Sequence, residues 1–217
     1  GGAWAKGQAE SPARPGPRPG AAADGAARPR DPTRGRVLTV TLKRQSGGSH
    51  GMLTDSSDAV TLDVASLDEG LEQTAVGDYN ASAEAALRLR DGDVILSVNG
   101  IHGNARSMQA ELDMKDQVVC KVCRMTEFEI RVVKKHSFGI DIGHAGASLV
   151  ILKMSDGAFT AWNEENPDKK VRDLDRILEI NGQRVGPAQL MSLLRAVSGE
   201  ARLVIGGLAV MPAGAAR

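Results

Sequence analysis

Aromatic side chains are nearly missing from this chain: three Phe, two Trp and one Tyr make up 3% of 217 residues. A core has to be built from Val, Ile, Leu, Met and Ala, which suits small β-rich modules better than a large enzyme. Cysteine is as scarce. The only two, Cys120 and Cys123, stand in CKVC within the apolar alternation QVVCKVCRM. A zinc site needs four ligands, and neither a second Cys pair nor a spaced His pair accompanies them. Strand residues three apart point to opposite faces, so one thiol is expected in the core and the other toward solvent. Disulfide-stapled secretion is not supported, and the expected compartment is the cytoplasm.

Charge of one sign is lacking too. Lys and Arg number 27 and Asp and Glu 27, at a pI near 7.1, which argues against a nucleic-acid partner. No apolar run approaches the roughly 18 residues that span a bilayer, so no transmembrane segment is expected. The four histidines, His50, His102, His136 and His144, are scattered without HxxxH or HExxH spacing, so neither metal nor cofactor is expected. No GxSxG or Walker-type GK[ST] segment occurs, and no catalytic residue is assigned. The chain begins Gly-Gly rather than Met, which leaves a missing front end, processing or a cloning scar open and targeting unreadable.

What is present is a repeat. LRDGDVILSVNG at Leu89–Gly100 returns as VRDLDRILEING at Val171–Gly182, 82 positions later. That period is far longer than a stacked solenoid unit, so it marks two domains rather than an array. Residues 1–34, rich in Gly, Ala, Pro and Arg, are expected to be a disordered tail. Residues 35–125 and 126–210 form the two repeats, and 211–217 a second tail.

In the first repeat RVLTVTLKR alternates as a half-buried strand. QSGGSHGMLTDSSD reads as a long loop and AVTLDVAS as the second strand. A further strand is possible near Thr74–Val76, and the Ala-rich ASAEAALRLR suggests a short helix. Val94, Leu96 and Val98 share one face of a strand ending in the turn dipeptide Asn99-Gly100. Met108 and Leu112 are at helical spacing behind Asn104 or Ser107 as cap, and QVVCKV closes the half. The second repeat runs in the same order through EFEIRVVKK, SFGIDI, SLVILKM, a short helix and turn in DGAFTAWNEENPDKK, RILEI, PAQLMSLLRAV and ARLVI. In the last helix Leu190, Leu193, Leu194 and Val197 define one buried face, Pro187 fits the first turn and Gly199 terminates it. The carboxylates Asp91 and Asp93, and Asp173 and Asp175, are expected to cap turns and to pair with Arg90 or Arg172.

The doubled stretch and the order of elements around it resemble the PDZ domains. Leu89, Arg90, Asp91, Gly92, Asp93, Ile95, Leu96, Asn99 and Gly100 carry the resemblance in the first repeat. Val171, Asp175, Ile177, Leu178, Asn181 and Gly182 carry it in the second, where Leu174 replaces a Gly. The resemblance implies a mainly β fold with short helices (α+β): two PDZ-like, partly open antiparallel β-barrels, each capped by two helices. It implies a non-catalytic scaffold or adaptor that binds a C-terminal or internal peptide by strand addition. The family's carboxylate-binding loop is matched by SFGI, with Lys134 and Lys135 upstream. The implied site is Lys135, Ser137, Phe138, Gly139, Ile140, Asp141 and Ile142, with Ala188, Met191 and Leu194 on the helix. VTLDV parallels FGIDI, so the first repeat's groove would involve Ala59, Val60, Thr61, Leu62, Asp63, Val64 and Arg106. Thr61 at the Gly place makes carboxylate binding there doubtful. Neither helix opens with the His that selects Ser or Thr in the ligand, so an apolar residue is expected at that position. Two other readings stand beside this one: a substrate-recognition fragment of a larger protease or other enzyme, and weak contact with anionic membrane through the Arg-rich tail and Lys134, Lys135, Lys169 and Lys170.

Overall fold

Alternation of apolar and polar residues sets the outer strands. In β1 (Arg36–Lys43) Leu38, Val40 and Leu42 are buried and the residues between them face out; in β7 (Thr126–Lys134) Ile130 and Val132 do the same. A strand covered on both faces loses the alternation, and β4 (Val94–Val98) is buried at every position. The computed structural model describes residues 1, 34–68, 70 and 72–209. The tails expected over 1–34 and 211–217 lie outside these apart from residues 1 and 34. Residues 34–68, 70 and 72–209 belong to one compact unit.

The first half has β2 (Met52–Asp55), β3 (Leu62–Leu67), β5 (Ile101–His102) and β6 (Gln117–Arg124), with helices α1 (Ala75–Ser82) and α2 (Ala105–Met114). Its sheet is ordered β1-β6-β4-β3-β2, with β5 paired to β4. Asn104 caps α2 by accepting from the Ser107 amide, and the helix turns Met108 and Leu112 into the core. The second half comprises β7, β8 (Ile140–Ala145), β9 (Ser148–Met154), α3 (Ala158–Glu165), a 3-10 turn at Pro167–Lys169, β10 (Arg176–Ile180), α4 (Pro187–Ala196) and β11 (Gly199–Gly207). Its sheet runs β7-β11-β10-β9-β8. Pro187 opens α4, and Leu190 and Leu194 are its buried residues. The fold is therefore α+β, two antiparallel sheets with four short helices.

Several local expectations are corrected. The stretch taken for a long loop contains β2, which leaves AVTLDVAS to form the third strand. Thr74 is not in a strand but is the N-cap of α1, its hydroxyl accepting from Gly77 N at 3.1 Å. The helix expected at 81–90 accordingly lies earlier and ends at Ser82. Beyond it the Asn80 side chain accepts from Leu89 N at 2.8 Å and donates to Leu89 O at 3.0 Å, which folds the Ala-rich segment back as turns.

The two halves meet along a shared seam. Val94, Leu96 and Cys123 of the first pack against Leu208 of the second, with Met125, Leu174 and Ala209 at the margins. Cys120 and Cys123 do point to opposite faces of β6, but both are buried because the second half covers the face expected to meet solvent. Burial pushes the Cys120 thiol up to about 12. Leu174 holds φ +70° where the first half has Gly92 at +79°. Both turns make the same bond, Gly92 N to Val64 O at 2.8 Å and Leu174 N to Ile151 O at 2.7 Å. The strained backbone keeps the turn while the Leu side chain fills the seam.

Ion pairs also cross the seam. Arg176 of β10 is fully buried and donates to Asp58 at 2.8 Å, Thr61 at 2.9 Å and Asp63 at 3.1 Å. Asp175 pairs with Arg34, just ahead of β1, at 2.7 Å; within the first half Asp93 pairs with Arg124 at 2.7 Å, and these partners stand in place of the expected Arg172 and Arg90. The turn-capping role of both carboxylates holds: Asp93 accepts from Arg90 N and Asp175 from Arg172 N.

Candidate functional site

The segment between β7 and β8 is shaped by the start of α3. Ala158 N donates to Ser137 O at 3.2 Å and Phe159 N to Phe138 O at 3.1 Å, which satisfies two helix-end amides. In a trans peptide the N–H opposes the C=O, so the Phe138 and Gly139 amides point away from α3. Among the described residues neither amide meets a hydrogen-bond partner, although both residues are buried. Ser155 N takes the Gly139 carbonyl at 2.8 Å, which turns the Ile140 amide away from β9. The Phe138, Gly139 and Ile140 amides thus each point away from the element that takes the preceding carbonyl. Gly139 is required here: its φ is +71°, and a Cβ would sit 2.5 Å from Ser155 O.

The same loop lines a groove of ≈ 460 Å³ between β8 and α4. Phe138, Ile140 and Ile142 line one wall and Met191 and Leu194 the other, with Lys134, His136 and Arg195 also on the lining. β8 is an edge strand, so a backbone ladder is open on its groove side. Phe138 packs edge-to-face on Phe159 at 6.0 Å, and the Lys134 ammonium lies 5.2 Å from the Phe138 ring centre while donating to Val197 O at 3.0 Å.

Of the residues singled out from the sequence, Ser137, Phe138, Gly139, Ile140, Ile142, Met191 and Leu194 come together here. Lys135, Asp141 and Ala188 do not line the groove. Lys135 lines a different cleft, beside α3. Asp141 is exposed, as alternation on β8 requires, and Ala188 is exposed on the first turn of α4. Arg195 and His136 were not anticipated. Arg195 stands four positions after Met191, so the helical pattern could have placed both on one face of α4.

In the first half the expected groove is corrected. β3, which holds Leu62, Asp63 and Val64, has β2 on one side and β4 on the other, so it has no free edge for a ligand there. Ala59, Val60 and Thr61 belong to the turn before it, where Asp58 accepts from Val60 N and Thr61 N. Arg106 is exposed on α2. The true counterpart of SFGI is SHGM, Ser49–Met52. Ala75 N donates to Ser49 O and Val76 N to His50 O, and Gly51 has φ +88°, as in the second half.

The first-half cleft nevertheless differs in chemistry. The Gly51 amide is taken by Ser49 Oγ at 2.9 Å. His50 is buried with its Nε2 2.9 Å from Leu112 O at the end of α2, and its Nδ1 meets no partner among the described residues. Thr54 on β2 donates to Gln109 on α2 at 2.6 Å, bridging strand and helix. Burial and the nearby Arg44 hold the His50 pKa below its ordinary value.

No protein-family model and no curated protein matches the chain. Among solved structures it is similar to the INAD PDZ45 pair in complex with an NG2 peptide, at 13% identity over 87% of this chain and 98% of that one, with a TM-score of 0.36. It is similar also to INAD PDZ45 in complex with NORPA CC-PBM, at 14% identity over 83% and 95%, with a TM-score of 0.35. The fifth PDZ domain of InaD alone covers 38% of the chain and 98% of its own length at 18% identity, with a TM-score of 0.32. Each half of this chain runs in the order β-β-β-α-β-α-β, with β5 as a short addition in the first, the order expected from the resemblance.

Proposed function

We propose that the second half holds the C-terminal segment of a partner protein as an added strand along β8, and that the chain works as a non-catalytic recognition module with a scaffold or adaptor role. The observation that carries this is the pair of Phe138 and Gly139 amides, without a partner among the described residues, at the head of an edge strand. Buried backbone donors are almost always satisfied, and a ligand carboxylate supplies the acceptor without a charged side chain of the protein. Main-chain bonds to β8 give affinity, and the apolar walls give choice. The last ligand side chain would be apolar, meeting Phe138, Ile140 and Leu194. The third from the end would also be apolar, meeting Ile142 and Met191, because α4 opens with Pro187 and offers no imidazole. The first half takes no carboxylate, since its own side chains already engage the equivalent loop amide and bridge the cleft.

The test is a C-terminal peptide library with free and amidated ends, presented to the whole chain because Arg176 of one half is buried against Asp58 and Asp63 of the other. Selected peptides should end in an apolar residue and lose binding on amidation. Equal binding of both forms, or a strict Ser/Thr requirement third from the end, would overturn the reading.

A further inference from the structure

The groove strand β8 is held by its own sheet through one neighbour, β9. β9 in turn meets β10 over two residue pairs, Arg176 with Val150 and Ile177 with Leu149, with two more backbone bonds between Ile151 and the turn at Leu174 and Asp175. The β8–β9 hairpin therefore projects, and its tip is held from outside. Gly146 at the tip donates its N–H to Asp55 Oδ2 at 2.8 Å, across the seam to the last residue of β2. Flanking Ala145 and Ser148 are buried, and a Cβ on Gly146 would meet Asp63 Cβ at 3.4 Å. Arg176, beside Val150 in the ladder, adds its bonds to Asp58 and Asp63 next to this contact.

Asp55 is itself fixed. Its Oδ1 accepts from Ser57 N at 2.8 Å and from the Ser57 hydroxyl, so the carboxylate is aimed by a turn that ends β2. Burial would raise its pKa, but the bonds from Ser57 and Gly146 and the charge of Arg176 together hold it below the ordinary value. The contact to Gly146 is thus charge-assisted at neutral pH.

We propose that Asp55 is a positioning residue: the first half clamps the far end of the groove strand, so that β8 keeps its spacing from α4 and the second half's groove stays open at working width. The proposal rests on β8 receiving a ligand strand as argued above. The first half then contributes to ligand affinity without touching the ligand. The duplicated module has become a mount for its neighbour.

Hydrogen exchange on the full chain tests the clamp without any ligand. Asp55→Ala should speed exchange of the amides in 140–146 by about tenfold while leaving β7 and β11 unchanged, since loss of one charge-assisted bond opens the strand locally. Asp55→Asn keeps an acceptor for Gly146 and should restore most of the protection. Ser57→Ala removes only the hydroxyl contact and should leave β8 as it was. The binding probe is an octapeptide ending Ile-Glu-Val with a free carboxylate, which Asp55→Ala should bind about three- to tenfold more weakly through faster dissociation. Unchanged exchange and unchanged affinity in Asp55→Ala would overturn the clamp, as would a rise spread evenly over the whole chain. If the wild-type chain ignores the octapeptide while β8 exchange responds to Asp55→Ala, the clamp stands and the ligand assignment fails.

Discussion

Single residues decide what the two homologous loops can do. Gly139 combines φ +71° with a site where a Cβ would lie 2.5 Å from Ser155 O. Gly139→Ala is therefore expected to cost about 1–3 kcal/mol of stability and to abolish carboxylate binding, checked by urea unfolding and peptide titration. His50 stands where the second half has Phe138, and its depressed pKa ties stability to pH. Between the folded pKa and the ordinary 6.5 the unfolded chain binds more protons than the folded one. The stability this group contributes is complete above pH 6.5 and is lost as pH falls through that window. Wild type should lose unfolding midpoint between pH 7.5 and 5.5, and His50→Phe should lose less over the same range. Asp63 and Asp175, whose pKa values burial raises, act in the opposite sense: their cost to the folded state is absent in acid and grows as pH rises through their window. The comparison with His50→Phe cancels their effect.

At the scale of elements, strand addition makes a prediction about the ligand backbone. A peptide lying antiparallel to β8 alternates residues that bond the strand with residues that face away. N-methylation at the bonding positions should weaken binding about tenfold, and methylation at the alternate positions should leave it nearly unchanged; a flat profile would contradict pairing along β8. How legible the elements were depended on where their information lies. Strands with one buried face, such as β1 and β7, declare themselves by period, and α4 does so by Leu190 and Leu194 behind Pro187. β2 is only four residues long, with no fully buried position, inside a Gly- and Ser-rich stretch, so its strand character comes from pairing with β3. Missing it moved the first-half groove one strand too far along the chain. The parallel of SHGM with SFGI was present in the sequence, but His in place of Phe hid the apolar pair that marks the loop.

Across the whole molecule, the seam was the least legible feature because its residues are ordinary strand and turn residues until a second body covers them. Cys123 and Leu174 show this: one is buried beyond what alternation on a single sheet predicts, and the other holds a Gly conformation for the sake of its side chain. Arg176 is the sharpest case, since a fully buried Arg beside Asp58 and Asp63 is explained only by the neighbouring half. Arg176→Ala leaves two carboxylates unpaired in the interior and should cost about 3–5 kcal/mol, measured by urea unfolding of the full chain. Unfolding of the wild type should follow one transition by both tryptophan fluorescence and far-ultraviolet dichroism, and two separated transitions would contradict a single unit.

The central claim is that the second half, and not the first, captures a chain terminus on its loop amides. Titrating the full chain with the octapeptide ending Ile-Glu-Val while following backbone amide resonances tests it most directly. The amides of Phe138, Gly139 and Ile140 should shift strongly with the free acid and not with the amidated peptide, while those of Gly51 and Met52 stay in place. Shifts centred on Gly51 and Met52, or shifts at Phe138–Ile140 that ignore amidation, would contradict the account.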